Sequence, residues 1–241
     1  LVVSHLDRET NTLYLNLGPA GFADASGDSA AGPPSYPHTG FGAVLFDLEL
    51  DGDLDLFVAN GRVRRGEAAL PGGPPPGQPL AEYAQPNLLL VNDGGGRFAD
   101  RSQAAGELAT RAEVSRAVMV GDLDHDGDLD ALLTQCDGPA RLFRNDAPRA
   151  GRWVAARVLD RPGGTAVEGA RVTAEAGGVL RLALQTSGRG YLSSAPVPAH
   201  LGLGRVERVE RLAVRWPDGR RAELRDLPPD RVYEIAARRL R

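Results

Sequence analysis

Residues 42–55 read GAVLFDLELDGDLD, and residues 117–130 read AVMVGDLDHDGDLD. Between the nine-residue cores, Asp47 to Asp55 and Asp122 to Asp130, seven positions are identical. The two differences are Glu49 against Asp124 and Leu50 against His125. An apolar strand precedes each core, Ala43 to Phe46 and Ala117 to Val120. Another follows each, at Leu56 to Val58 and Ala131 to Leu133. A self-match at a fixed offset, flanked by strands without a helical period, predicts a repeating β architecture. A second motif supports it. Residues 11–24 read NTLYLNLGPAGFAD and residues 87–100 read NLLLVNDGGGRFAD, while RLFRND ending at Asp146 is a shorter echo. Strand, Gly-rich turn, then Phe suits a β-hairpin. The expected fold is all-β, with partial β-propeller blades over residues 1–150. A closed propeller needs more blades than this stretch holds. Leu1-Val2-Val3 also reads as mid-strand, so a fragment whose upstream repeats and signal peptide are missing is expected.

The acidic cores carry the chemistry. Calcium takes 6–8 oxygens at about 2.3–2.6 Å. A loop that turns at Gly52 or Gly127 can aim the side chains of positions 1, 3, 5 and 9 at one point, with the position-7 carbonyl completing the set. This makes Asp47, Glu49, Asp51, Asp53 and Asp55 the first candidate Ca²⁺ set, and Asp122, Asp124, Asp126, Asp128 and Asp130 the second. The side chains of Asp53 and Asp128 are expected to face away. Without a cation, carboxylates packed this closely repel and some must protonate. An EF-hand is excluded, because it needs a bidentate Glu at position 12, where Val58 and Leu133 stand, and helical flanks. The plain alternative is a pair of solvated acidic turns.

The loop D-x-D-x-D-G-D-L-D with its flanking strands resembles the FG-GAP or VCBS repeats of integrin-type β-propellers. That resemblance implies structural Ca²⁺ held by Asp47, Glu49, Asp51 and Asp55 and by Asp122, Asp124, Asp126 and Asp130, with Asp53 and Asp128 giving carbonyls. Glu49 departs from the usual Asp or Asn.

Residues 151–241 read differently. They hold a net charge of +7, against −11 for residues 1–150. All 28 basic residues of the chain are arginine, which reads as the codon bias of a GC-rich genome. The arginines alternate with acids and apolar residues, which argues against nucleic acid. Alternation at Trp153, Ala155 and Val158, Val172 and Ala174, Leu180, Leu182 and Leu184, Leu212, Val214 and Trp216, and Val232 and Ile235 predicts an antiparallel β-sandwich of about seven strands. Glu168-Gly169-Ala170-Arg171-Val172, Gly188 to Ser194, Leu201-Gly202-Leu203-Gly204 and Leu212 to Gly219 resemble the ASPIC/UnbV domain, which commonly follows FG-GAP repeats. That implies an extracytoplasmic, non-catalytic role.

Single residues are read conservatively. Tyr191 and Trp216 are expected in the core. Gly202 and Gly204 are expected to serve tight turns. Cys136 reads as a small buried hydrophobe, and His125 as pointing outward. Ser193 and Ser194 lack any nucleophile elbow. No apolar run is long enough to cross a membrane as a helix, and one cysteine excludes an internal disulfide and a multi-cysteine zinc site. The expected function is a non-catalytic, calcium-stabilised extracellular or periplasmic binding or adhesion module for a protein or glycan. The competing expectation is a glycan-acting hydrolase or lyase on a propeller scaffold.

Overall fold

The structure is a computed structural model describing residues 1–63, 80–136, 138–195 and 198–237. Residues 66–80, GEAALPGGPPPGQPL, whose proline and glycine content reads as a long exposed insertion, lie outside these except for Leu80.

Three antiparallel sheets form the first half. Strands β1 (Val2–Val3), β2 (Thr12–Asn16) and β3 (Phe22–Asp24) make one. Strands β4 (Gly40–Phe46), β5 (Asp55–Asn60), β6 (Leu88–Asn92) and β7 (Phe98–Asp100) make a four-stranded meander. Strands β8 (Ser115–Gly121), β9 (Asp130–Gln135) and β10 (Arg141–Phe143) make the third. Each acidic core is the turn of a hairpin, β4 to β5 with Phe46 opposite Asp55, and β8 to β9 with Gly121 opposite Asp130. Both hairpins slip register at the same repeat position, between Gly40 and Ala43 and between Ser115 and Val118. A bulge twists the strand locally, so the repeat extends to the irregularity as well as the loop.

The middle sheet is covered on both faces. Phe57, Ala59 and Leu89 pack with Val118, Val120 and Leu133 of the third sheet. Leu56, Val58, Leu88 and Leu90 pack with Leu13 of the first. This is why β5 is buried at every position and reads as a continuous apolar run instead of an alternation. The RLFRND echo yields only β10, paired with β9; no second hairpin follows. Its Gly-rich turn is replaced by Ala147-Pro148-Arg149, where proline has no N–H to give a ladder.

The second half is a sandwich of seven strands: β11 (Arg152–Leu159), β12 (Ala170–Ala176), β13 (Val179–Gln185), β14 (Ala199–Gly204), β15 (Val209–Arg215), β16 (Arg221–Leu227) and β17 (Arg231–Ala236). One sheet runs β14-β11-β17 and the other β13-β12-β15-β16. Val154, Val158, Val172, Leu203, Leu212 and Trp216 fill the space between them. The expectation of a purely antiparallel sandwich is corrected at one pair: β17 runs parallel to β11, from Val154 opposite Arg231 to Leu159 opposite Ala236. A hairpin connects only neighbours in one sheet, whereas β17 leaves the sheet of β16 and crosses to the other. Trp216 is in the core as expected, its indole N–H donating to the Leu159 carbonyl at 3.0 Å. Tyr191 is not: it is 45% exposed and lies edge-on to Phe41 of β4. Leu180, Leu182 and Leu184 alternate as read, but on the outer face, where they are 50–61% exposed.

Cys136 is also corrected. It is exposed, one residue past the end of β9, its N–H held by the Val114 carbonyl at 2.9 Å. The apolar run ends at Leu133, and the polar Thr134 and Gln135 finish the strand before Cys136. A maleimide reagent is therefore expected to label the native protein to about one equivalent without denaturant. Labelling only after unfolding would contradict this placement.

Candidate metal centre at the junction of repeats and sandwich

The two acidic loops share a backbone design. In both, position 4 adopts a left-handed conformation, Leu50 at φ 65° and His125 at φ 64°. Position 6 is a glycine at φ 100° (Gly52) or 103° (Gly127), a region that side chains disfavour. Carboxylates then accept N–H groups of their own loop. Asp47 accepts from Asp51 at 3.1 Å and Gly52 at 2.9 Å. Asp51 accepts from Asp53 at 3.1 Å, and Asp126 accepts from Asp128 at 3.2 Å.

Position 9 does more than close the loop. Asp55 is fully buried. Its carboxylate accepts the Leu48 N–H at 2.8 Å and the Asn92 N–H at 2.9 Å. Asp130 repeats this with the N–H groups of Leu123 and Asn145, both at 2.9 Å. Each position-9 carboxylate thus ties its hairpin to the next strand or its end. Each oxygen keeps a lone pair after one such bond, so the tie and a metal are compatible. The sequence reading missed Asn92 and Asn145. The recurring Asn-Asp pair at 92–93 and 145–146 was the available signal.

The loops differ in charge and convergence. Oxygens of Asp122, Asp124 and Asp126 lie within 4.8 Å of one another, and Oδ1 of Asp122 is buried without a hydrogen-bond partner. The second loop also has an internal cation: Arg149 reaches Asp126 at 2.8 Å and Asp128 at 3.0 Å. Asp128 is 2% exposed, its carboxylate turned to Arg149. Oδ1 atoms of Asp53 and Asp128 are both buried and unpartnered. The five carboxylates of the first loop form no equally tight trio among the described residues, and no salt bridge to them is seen there. Burial above all, with repulsion from neighbouring carboxylates, lifts Asp47 and Glu49 to about 7 and Asp53 to about 6. A cation would remove that penalty. Both loops therefore fit a hard, oxygen-liganded ion, the second by convergence and the first by unneutralised charge.

The sandwich packs directly on both loops. Leu50 is fully buried in a cluster with Trp153 and Ala155, whereas His125 at the matching position is exposed, as expected. The Leu50 carbonyl accepts the Gly204 N–H at 2.9 Å, and the Glu49 carbonyl accepts the Ala150 N–H at 2.8 Å. On the second loop, the Gly127 carbonyl lies 2.9 Å from Nε2 of His200, whose ring stacks on Trp153 at 5.3 Å. A side chain on Gly127 would run into the Trp153 indole. One on Gly202 would run into the Asp47 carboxylate and the Leu50 backbone. Gly202 is thus an extended strand residue that allows close approach of the first acidic loop, not a turn residue as read. Gly204, at φ 68°, has both roles, with its Cβ position 3.1 Å from the Asp51 carbonyl. The apolar residue inside an acidic loop, Leu50, was the legible sign of this contact.

His38 lies apart from the loops and is buried, which pushes it down to about 4. The unfolded chain, with a histidine near 6.5, binds more protons between those values. Its contribution is complete above about pH 6.5 and is lost as the pH falls toward 4. Wild type is expected to lose more stability between pH 7.5 and 4.5 than His38→Gln, read from urea midpoints. Equal losses would refute the assignment.

Comparison with known proteins places the second half. Residues 161–239 match the family model "ASPIC and UnbV". The chain is also similar to cartilage acidic protein 1. Identity is 28% over 254 residues with the Homo sapiens protein, covering 87% of this chain and 37% of that one. With the Xenopus tropicalis protein it is 29% over 188 residues, covering 73% and 25%. The chain thus spans well under half the length of either relative.

Proposed function

We propose that this chain is a non-catalytic, calcium-stabilised extracellular binding or adhesion module, in which Ca²⁺ at the two acidic loops fastens the repeats to the sandwich. The observation that carries this reading is the convergence of Asp122, Asp124 and Asp126 in a loop whose glycine packs on Trp153. Asp122, Asp124, Asp126 and Asp130 would hold one ion, and Asp47, Glu49, Asp51 and Asp55 the other, with carbonyls of Asp128 and Asp53. The ion supplies charge neutralisation and a fixed loop geometry. Similarity to cartilage acidic protein 1 supports an extracellular setting, where calcium is plentiful enough for sites of roughly 10⁻⁴–10⁻³ M affinity.

Calorimetric titration with Ca²⁺ tests this. Two sites are expected in wild type, and one in Asp124→Ala. Asp124 is exposed, so that variant should melt within about 0.5 kcal/mol of wild type in chelator. No heat of binding in wild type at millimolar Ca²⁺ would overturn the reading.

A further inference from the structure

The outer face of the sheet β13-β12-β15-β16 carries a second site. Its registers place residues in rungs. One rung is Leu184, Arg171, Arg215 and Arg221. The next is Leu182, Thr173, Ala213 and Glu223, and the third is Leu180, Glu175, Arg211 and Arg225. Across the second and third rungs the charges are matched: Arg211 meets Glu175 at 3.1 Å and Glu223 at 3.5 Å, and Arg225 meets Glu223 at 2.6 Å. The first rung is different. Arg171, Arg215 and Arg221 stand abreast on three neighbouring strands, all exposed, and none has an acidic partner among the described residues. Like charges directly opposite across strands destabilise a sheet. Adjacent strands lie about 4.8 Å apart, so three guanidinium groups share a front of about 10 Å. They border a shallow depression of ≈ 450 Å³ floored by Thr173 and Ala213.

We propose that this rung binds a sulfated polysaccharide chain, lying across the strands with successive sulfate groups on Arg171, Arg215 and Arg221. A guanidinium fork pairs with two oxygens of an oxyanion. Three forks in line fit a linear polymer with regularly repeated anions. The face has no aromatic residue in its three rungs, so it lacks the stacking platform of a single-strand nucleic-acid binder. Among the described residues, no helix projects from this sheet face to enter a duplex groove. The alternating arginines hid this site from the sequence, because the cluster exists only across strands. The proposal does not depend on calcium.

The test is binding to heparin by titration calorimetry at several salt concentrations, in saturating Ca²⁺ and in chelator. Wild type is expected to bind, with affinity falling steeply with salt as counterions are released. The triple variant R171Q/R215Q/R221Q should bind at least about tenfold more weakly, and should melt at or above the wild-type temperature because repulsion is relieved. A control with equal charge change elsewhere, R157Q/R205Q/R231Q, should keep wild-type affinity. An equal loss in the control would reduce the effect to net charge and overturn the proposal. So would absence of heparin binding, or equal affinity for polyphosphate or duplex DNA. Loss of binding in chelator alone would instead make the site depend on the metal loops, contradicting its independence.

Discussion

Gly202→Val is expected to destabilise the protein by about 3 kcal/mol, mostly through the junction and not through β14 itself. A valine Cβ would meet Oδ2 of Asp47 and the Leu50 Cα, at 2.9 Å from the latter. Neither neighbour can yield cheaply. The Asp47 carboxylate is held by two loop N–H groups, and Leu50 is anchored by its buried side chain and its carbonyl bond to Gly204. Overpacking a tight contact costs about 1–3 kcal/mol, and displacing Asp47 from its N–H partners adds to that. For a chain of this length, about 3 kcal/mol lowers the melting temperature by roughly 6–12 °C. The matched control is Gly188→Val, an exposed glycine with open space around its Cβ position, expected within about 0.5 kcal/mol. The calcium response should shrink in Gly202→Val but not in the control. Equal melting of the two variants would mean that the loop does not bear on β14.

Asp55→Ala is the second large effect, and its sign is the same with or without metal. Removing this carboxylate strands the N–H groups of Leu48 and Asn92 at the edge of the most buried strand. Each unmade bond costs about 1–3 kcal/mol. Relief of repulsion with Asp51, which helps raise Asp55 above the usual carboxylate range after the larger effect of burial, offsets part of this. A net loss of about 2–3 kcal/mol is expected in chelator, and a larger one in calcium, where a ligand of the first ion is lost as well. Asp124→Ala should behave oppositely, near wild type in chelator and deficient only in calcium. Denaturant midpoints of both variants under both conditions separate a position-9 tie from a metal ligand. Asp55→Ala behaving like Asp124→Ala would remove the structural role assigned to position 9.

Much of the architecture was legible because it is periodic. The repeated acidic core named both hairpin turns, and alternation along the second half gave seven strands. What escaped has a common physical origin in contacts between elements. The parallel pairing of β17 with β11 follows from a crossover between sheets, which alternation cannot encode. The exposure of Cys136 depends on where the ladder ends, one residue before it. Gly202 looks like any strand or turn glycine until the Asp47 carboxylate is brought against it. Arg171 lies dozens of residues before Arg215, and Arg215 and Arg221 are joined across a turn, so no local charge run announces the three together. Of the candidate ligands, Asp122, Asp124 and Asp126 come together, while Asp128 is also committed to Arg149, and Asp55 and Asp130 to backbone N–H groups.

The most direct measurement is differential scanning calorimetry in millimolar Ca²⁺ and in chelator. If the metal loops fasten the repeats to the sandwich, calcium gives one cooperative transition at a higher temperature, because the ion binds only the native junction. Chelation then lowers the transition and separates the melting of the repeats from that of the sandwich. Superimposable traces under the two conditions would contradict the central claim.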